Sequence, residues 1–327
     1  MNRPSEIELN KYKAVYEKDT DFTAYARLLQ SKWREEKGYP IGKSALFDKN
    51  GKFKRYGNPY GNFVEYEFAK NNGSNFLTKK IWNIAKNEMK EANIENKKLK
   101  HSGGKYDEYR FICNLLTSQA LCFNLFGEFL EKKTVLLKIF NEIKPNLMDE
   151  ITEIRFEYSP GRGDEKYLGD HTAFDVFIEY IKDDRKSFLS IETKYVETLS
   201  EESSETAERN FKRHLKYRQI TETCGLFKPD VINDIKIPPY SQMWRDHLLS
   251  ISLKNGEGKI YNNGFFVYLY PFNNFECRSG IKNYLNFLLK PETNIFEIYL
   301  EDLIKTIVKN VNEDWVKELS DRYIKGL

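Results

Sequence analysis

The sequence predicts an α/β (α+β) fold, with a sheet flanked by helices and a mainly helical N-terminal part. Three observations predict it. Phe174–Tyr180 (FDVFIEY) and Phe188–Tyr195 (FLSIETKY) alternate apolar and polar residues with the period of strands. Ile151–Tyr158 (ITEIRFEY) alternates in the same way. Amphipathic or apolar helical segments surround these runs and order the elements as αβββαβ.

The elements follow in chain order. Residues 5–37 read as helical, with Tyr25, Leu28, Leu29 and Trp33 at helix-like spacing, and Gly38-Tyr39-Pro40 ends the pattern. Residues 41–75, rich in Gly, Asn, Lys and aromatics, read as loop or short strand. Residues 76–98 suggest a helix, and Gly103 and Gly104 mark a boundary. Residues 109–131 read as one buried helix, apolar almost all round. Ile151–Tyr158 is the first sheet strand, with Thr152, Ile154, Phe156 and Tyr158 on one face. The polar residues Ile181 to Ser187 form a hairpin-like turn between the next two strands. Glu201–Arg218, acidic first and basic later, suits a helix that Gly225 ends. Residues 241–250 read as a helix, Gly264–Pro271 as an apolar strand, and 281–319 as one or two helices. Three regions result: 1–104 helical and basic, 105–280 the core, 281–327 helices packed on the core.

Composition narrows the class. The chain has 327 residues, 40% hydrophobic and 15% aromatic, ample for a packed core. Net charge is only +3. Residues 1–100, however, carry 21 Lys/Arg against 13 Asp/Glu, so the charge is concentrated N-terminally. A basic segment beside a carboxylate-bearing core suits DNA gripping, and a solvated Lys-rich surface is the alternative. Cys113, Cys122, Cys224 and Cys277 form no C-x-x-C pair and read as reduced thiols. No apolar leader and no run of 18 apolar residues is seen, which predicts a soluble cytoplasmic protein. The histidines lack zinc-hydrolase spacing, and no G-x-x-x-x-G-K-[ST] loop is present.

If the strands of the central hairpin pair, Val176, Ile178, Leu189 and Ile191 enter one core. Asp175, Glu192 and Lys194 then gather on the other face. Two carboxylate ligands suit Mg²⁺, which keeps several waters. A lysine beside them can orient water or stabilise charge on a phosphate.

Asp175 followed by Ile191-Glu192-Thr193-Lys194 resembles the PD-(D/E)XK nuclease superfamily. Ser159–Tyr180, Leu115–Gly127 and Gln242–Leu249 look like its bacterial putative restriction endonucleases, and ARLLQSKWRE is weakly similar. One departure is Phe174, where the pattern has Pro. The resemblance implies a restriction-endonuclease-like core with a mixed central sheet. It implies a metal-dependent endonuclease that cuts DNA to 5′-phosphate and 3′-hydroxyl ends. Mg²⁺ (or Mn²⁺) would be held by Asp175, Glu192 and the Thr193 carbonyl, with Lys194 positioning the water. Further candidates are Asp170, which could aid the metal or hold His171, and Glu157 as a third carboxylate. Gln119 or Glu128 could come from the first core helix, where Gln119 and Asn124 could equally satisfy backbone groups. Lys52, Lys54, Arg55, Arg162 and Arg245 are candidate nucleic-acid contacts. A solvated hairpin and a structural salt bridge are the alternatives for the first three and for Arg245. The expected partner is DNA, with no membrane, and a homodimer cutting both strands is left open. Two rival readings stand beside this one: a non-catalytic nucleic-acid-binding module on the same fold, and a nuclease acting on RNA or branched DNA.

Overall fold

The computed structural model of the chain describes residues 2–47, 53–98, 106–199, 202–255, 259–291 and 294–326. It divides into two compact units, Met1–Phe129 with Ile304–Leu327, and Leu130–Leu303. These units differ from the boundaries read at 104/105 and 280/281. Residues 106–129 and Ile304–Leu327 belong to the first unit, with the N-terminal residues.

The first unit begins with α1 (Glu6–Lys11) and α2 (Asp21–Glu36). Thr20 caps α2 by accepting the Thr23 amide at 3.1 Å. An antiparallel hairpin follows, β1 (Ile41–Phe47) and β2 (Phe53–Val64), then α3 (Tyr66–Asn72) and α4 (Lys79–Lys98). The single helix expected over 109–131 is interrupted. It forms α5 (Glu108–Cys113), a break at Asn114–Thr117, α6 (Ser118–Phe126) and a 3₁₀ turn, Gly127–Leu130. Asn114 causes the break: its backbone is extended, and its side-chain oxygen accepts the Leu116 amide at 3.1 Å.

The second unit holds α7 (Lys133–Ile143) and a five-stranded sheet in the order β3-β4-β5-β6-β7. The strands are β3 (Glu150–Tyr158), β4 (Phe174–Lys182), β5 (Arg185–Thr193), β6 (Asn263–Tyr270) and β7 (Ile295–Tyr299). β3, β4 and β5 pair antiparallel, while β5–β6 and β6–β7 pair parallel, so the sheet is mixed as expected. The turn between β4 and β5 is only Asp183-Asp184, both at positive φ, the two-residue geometry that matches strand twist. Between β5 and β6 lie α8 (Ser204–Arg213), α9 (Leu215–Thr223), α10 (Ile232–Ile235) and α11 (Ser241–Ser252). After β6 come α12 (Phe275–Leu285) and β7; α13 (Leu300–Asn310) begins in this unit, and its remainder and α14 (Asp314–Tyr323) belong to the first. β7 corrects the all-helical reading of 281–319. Its five residues run straight into α13, so their apolar pattern merges with the helical one.

The register settles the faces. Val176 lies opposite Ile191 and Ile178 opposite Leu189, while Ile154 and Phe156 face Ile178 and Val176 from β3. These residues are buried, and α7 packs on β3. The other face is a second core rather than a solvent face. Phe177, Phe188, Phe266 and Tyr268 pack there with Tyr217 of α9, Met243, Trp244 and Leu248 of α11, and Ile281 and Tyr284 of α12. The polar residues described next are set into the edge of this second core.

Candidate active site

Asp175 falls opposite Glu157, between the Phe156–Val176 and Tyr158–Phe174 pairs, and continuing the β4–β5 pairing by one residue sets it opposite Glu192. The carboxylates of Asp175 and Glu192 therefore lie side by side on strands spaced about 5 Å apart, while Glu157, at positive φ, departs from regular strand geometry and acts on Asp175 electrostatically. Tyr268 of β6 lies beside Glu192. Nothing in local propensity favours such a grouping. It follows from register alone, which the apolar partners on the opposite face hold in place.

Each carboxylate of the central pair is held by one oxygen. The Thr193 amide donates to Asp175 Oδ2 at 2.8 Å. On Glu192, Oε1 takes both the Lys194 ammonium at 2.9 Å and the Gln242 amide nitrogen at 3.1 Å. Gln242 closes the triangle, because its carbonyl oxygen accepts from Lys194 Nζ at 3.1 Å. Among the described residues Asp175 Oδ1 and Glu192 Oε2 make no hydrogen bond. Glu192 and Lys194 are 4% and 6% exposed, whereas Asp175 is only partly buried.

The electrostatics fit a cation. Burial, then Glu192 and Glu157, push the Asp175 carboxyl well above the usual carboxylate range, and Lys194 and the Thr193 amide only partly oppose this. Burial works against the Lys194 ammonium, but Glu192, Tyr268 and Asp175 together outweigh it and hold the lysine charged. Paired carboxylates with two oxygens unengaged, one of them on an Asp175 carboxyl whose charge the site disfavours, are the donor set a hard divalent ion takes. Among the described residues no group of three His, Cys, Asp or Glu side chains stands at ligand spacing. Magnesium usually takes only one or two protein carboxylates, so the pair fits it.

The remaining candidates fall in several places. Asp170 accepts the Thr172 amide at 3.1 Å and the Tyr217 hydroxyl at 2.5 Å, so it pins the loop before β4. Arg162 lies partly buried on that loop, and its Nε has no hydrogen-bond partner. Arg245 is paired with Glu202 at 2.7 Å, the salt bridge that was its alternative reading. His171 is exposed, while His247 is fully buried and held neutral, its pKa pushed down to about 3 by burial. Gln119 lies on α6 of the first unit, Glu128 accepts from Thr78 at 2.6 Å, and Asn124 accepts the Leu77 amide at 2.9 Å. Lys54 and Arg55 are exposed on β2, and Lys52 lies outside the described residues.

Two residues gain a place that sequence reasoning did not assign. Gln242 bridges Glu192 and Lys194. Asp246, one helical turn later, is 4% exposed with Oδ2 unpartnered, its carboxyl pushed up by burial and by Glu192. The available signal was their i, i+4 spacing, which puts two polar side chains on one stripe of an otherwise buried helix.

A mixed α/β sheet carrying paired carboxylates and a lysine at the end of its central strands defines a restriction-endonuclease-like fold. The model of the PD-(D/E)XK nuclease superfamily matches residues 17–325, nearly the whole chain, and the protein belongs to that superfamily. Membership implies nuclease activity in general. No curated protein and no solved structure matches the chain. Among the described residues no helix is long and apolar enough to cross a membrane.

Proposed function

We propose that the protein is a metal-dependent endonuclease that hydrolyses DNA phosphodiester bonds at Asp175, Glu192 and Lys194. The observation that carries this reading is the pairing of Asp175 with Glu192, each with one oxygen tied and one unengaged, beside a buried ammonium. Asp175, Glu192 and the Thr193 carbonyl would hold Mg²⁺ or Mn²⁺, with Glu157 opposite Asp175. When bound, the ion supplies Lewis acidity and lowers the pKa of water. Lys194, kept charged by its carboxylate neighbours, donates hydrogen bonds to the attacking water or to a phosphate oxygen. Gln242 holds the lysine and Glu192 at a fixed separation. The Thr193 amide fixes Asp175 so that its other oxygen keeps its direction. Water attack at phosphorus would release the 3′ oxygen and leave a 5′-phosphate. Lys54, Arg55 and Arg162 would attract the phosphate backbone.

A restriction or phage-defence role suits this activity, as does pairing of two chains to cut both strands. Four free cysteines support a cytoplasmic setting. The deep burial of Glu192 and Lys194 favours one rival, a binding module on the same fold without turnover.

The test is cleavage of linear duplex, single-stranded, junction and RNA substrates, with and without Mg²⁺ or Mn²⁺. Metal-dependent cutting of duplex DNA is expected. Binding without cutting of any substrate would favour the module, and cutting confined to RNA or junctions would move the substrate.

A further inference from the structure

In the first unit, the β1–β2 hairpin and the start of α3 enclose a pocket of about 260 Å³ lined by Lys43, Tyr56, Glu65, Tyr66 and Tyr109. Its walls are aromatic and fixed. The Tyr66 and Tyr109 rings stack, with centroids 5.6 Å apart and planes 16° apart. The Tyr109 hydroxyl donates to the Lys43 carbonyl at 2.5 Å, and the Tyr66 hydroxyl to Glu108 at 3.0 Å. Tyr56 stands 5.7 Å from Tyr109 and is 50% exposed. Gly42 lets β1 approach the end of β2 beside the pocket: a Cβ there would lie 2.3 Å from the Val64 carbonyl oxygen.

The polar groups are arranged as unlike charges. Glu65 caps α3, with one oxygen accepting the Glu67 amide at 3.1 Å and the other the Phe68 amide at 2.7 Å. A carboxylate oxygen has two lone pairs, so each retains acceptor capacity, and Glu65 lines the pocket. Lys43, Lys54 and Arg55 are exposed on the two strands that carry Tyr56 and the pocket rim. A half-exposed ring, an acceptor carboxylate and flanking cations together match a nucleotide: a π-face, an amino edge and phosphates.

We propose that this pocket binds an unpaired base of the nucleic-acid substrate, stacked on Tyr56, and favours bases with an exocyclic amino group. The inference rests on the nuclease reading for its substrate class. Glu65 accepts from the amino group of cytosine, adenine or guanine. Thymine offers it a single N–H flanked by two carbonyls. The hairpin cations make the same contacts to any sequence, so the pocket adds a preference for single-stranded or locally opened substrate.

The experiment is fluorescence anisotropy in EDTA with labelled oligo-dC, oligo-dT and a blunt duplex. Wild-type protein should bind oligo-dC more tightly than oligo-dT. Tyr56→Ala should weaken oligo-dC binding about 5- to 150-fold, the range for losing one base–aromatic stack, and leave duplex binding unchanged. Tyr56→Phe should bind as wild type, which separates ring stacking from a folding defect. Unchanged oligo-dC binding by Tyr56→Ala, an equal loss for duplex, or an equal loss in Tyr56→Phe would overturn the proposal. Equal affinity for oligo-dC and oligo-dT would overturn the role of Glu65. A proline-rich peptide that binds in a Tyr56-dependent way when oligonucleotides do not bind would also overturn it. Duplex cleavage in Mg²⁺ by the same preparations keeps the two readings apart. Cutting with Tyr56-indifferent binding removes the pocket alone. Tyr56-dependent binding without cutting removes the nuclease reading alone.

Discussion

At the residue scale, Gln242 shows why chemistry selects a side chain at one position. A side-chain amide can donate to a carboxylate through its nitrogen and accept from an ammonium through its oxygen at the same time. Gln242 does both, to Glu192 and from Lys194. Gln242→Met should lower kcat by about 10- to 100-fold, the scale of a hydrogen bond to a charged group, with KM little changed. Gln242→Glu should be at least as poor, since it keeps the acceptor toward Lys194 and sets a second negative charge against Glu192. Steady-state cleavage kinetics of both variants check this, and wild-type kcat in either would remove the clamp. His247 carries a different consequence. It is stacked on Phe266, bonded to the Tyr284 hydroxyl at 3.0 Å, and its pKa is depressed to about 3. The unfolded chain takes up a proton there near the usual histidine pKa of about 6.5, while the folded chain refuses it. Stability contributed by neutral His247 is therefore complete above about pH 6.5 and is lost as pH falls toward 3, on the order of a few kcal/mol. Urea unfolding across that window should show this slope in wild type and a shallower one in His247→Gln.

At the element scale, the β4–β5 hairpin was the legible part. Val176, Ile178, Leu189 and Ile191 are out of phase with Asp175 and Glu192 by one residue. Strand periodicity alone therefore sends the two sets to opposite faces, and the register follows that division. Ile191→Ala should cost about 2–5 kcal/mol, measured by urea unfolding, because the site depends on that register. A neutral result would mean the strands slip and Asp175 does not face Glu192. What was not legible is equally physical. The break between α5 and α6 depends on the Asn114 side chain competing with the helix, within an apolar run that otherwise reads as continuous. β7 is five residues long, too short for its period to stand out from α13. The clamp on Glu192 joins β5 to α11 across 50 residues of sequence, and no local pattern announces it.

At the scale of the whole molecule, each unit is closed by residues distant in sequence. In the first, the buried Arg322 of α14 donates to Gln30 Oε1 at 2.9 Å, to the Asn75 carbonyl at 2.8 Å and to Asn75 Oδ1 at 2.5 Å. Its guanidinium also lies 4.4 Å from the Trp33 ring. The sequence places the helices of residues 281–327 on the core, because helices carry no label for the surface they cover, whereas Ile304–Leu327 belong to the first unit. Arg322→Ala strands three buried acceptors and should destabilise the first unit by at least about 2 kcal/mol. Arg322→Lys should not restore it, since an ammonium lacks the planar fork. Thermal unfolding of both variants measures this. In the second unit the register sets Asp175 opposite Glu157 and Glu192, with Lys194 paired to Glu192, and the proposed reaction depends on that grouping. The measurement that tests this most directly is Mg²⁺-dependent DNA cleavage by Lys194→Met, with DNA affinity measured in parallel. Cleavage should be abolished while binding stays within about two-fold of wild type, because phosphate attraction is proposed to come from Lys54, Arg55 and Arg162. Wild-type cutting by Lys194→Met would contradict the assignment of Asp175, Glu192 and Lys194 as the reacting site.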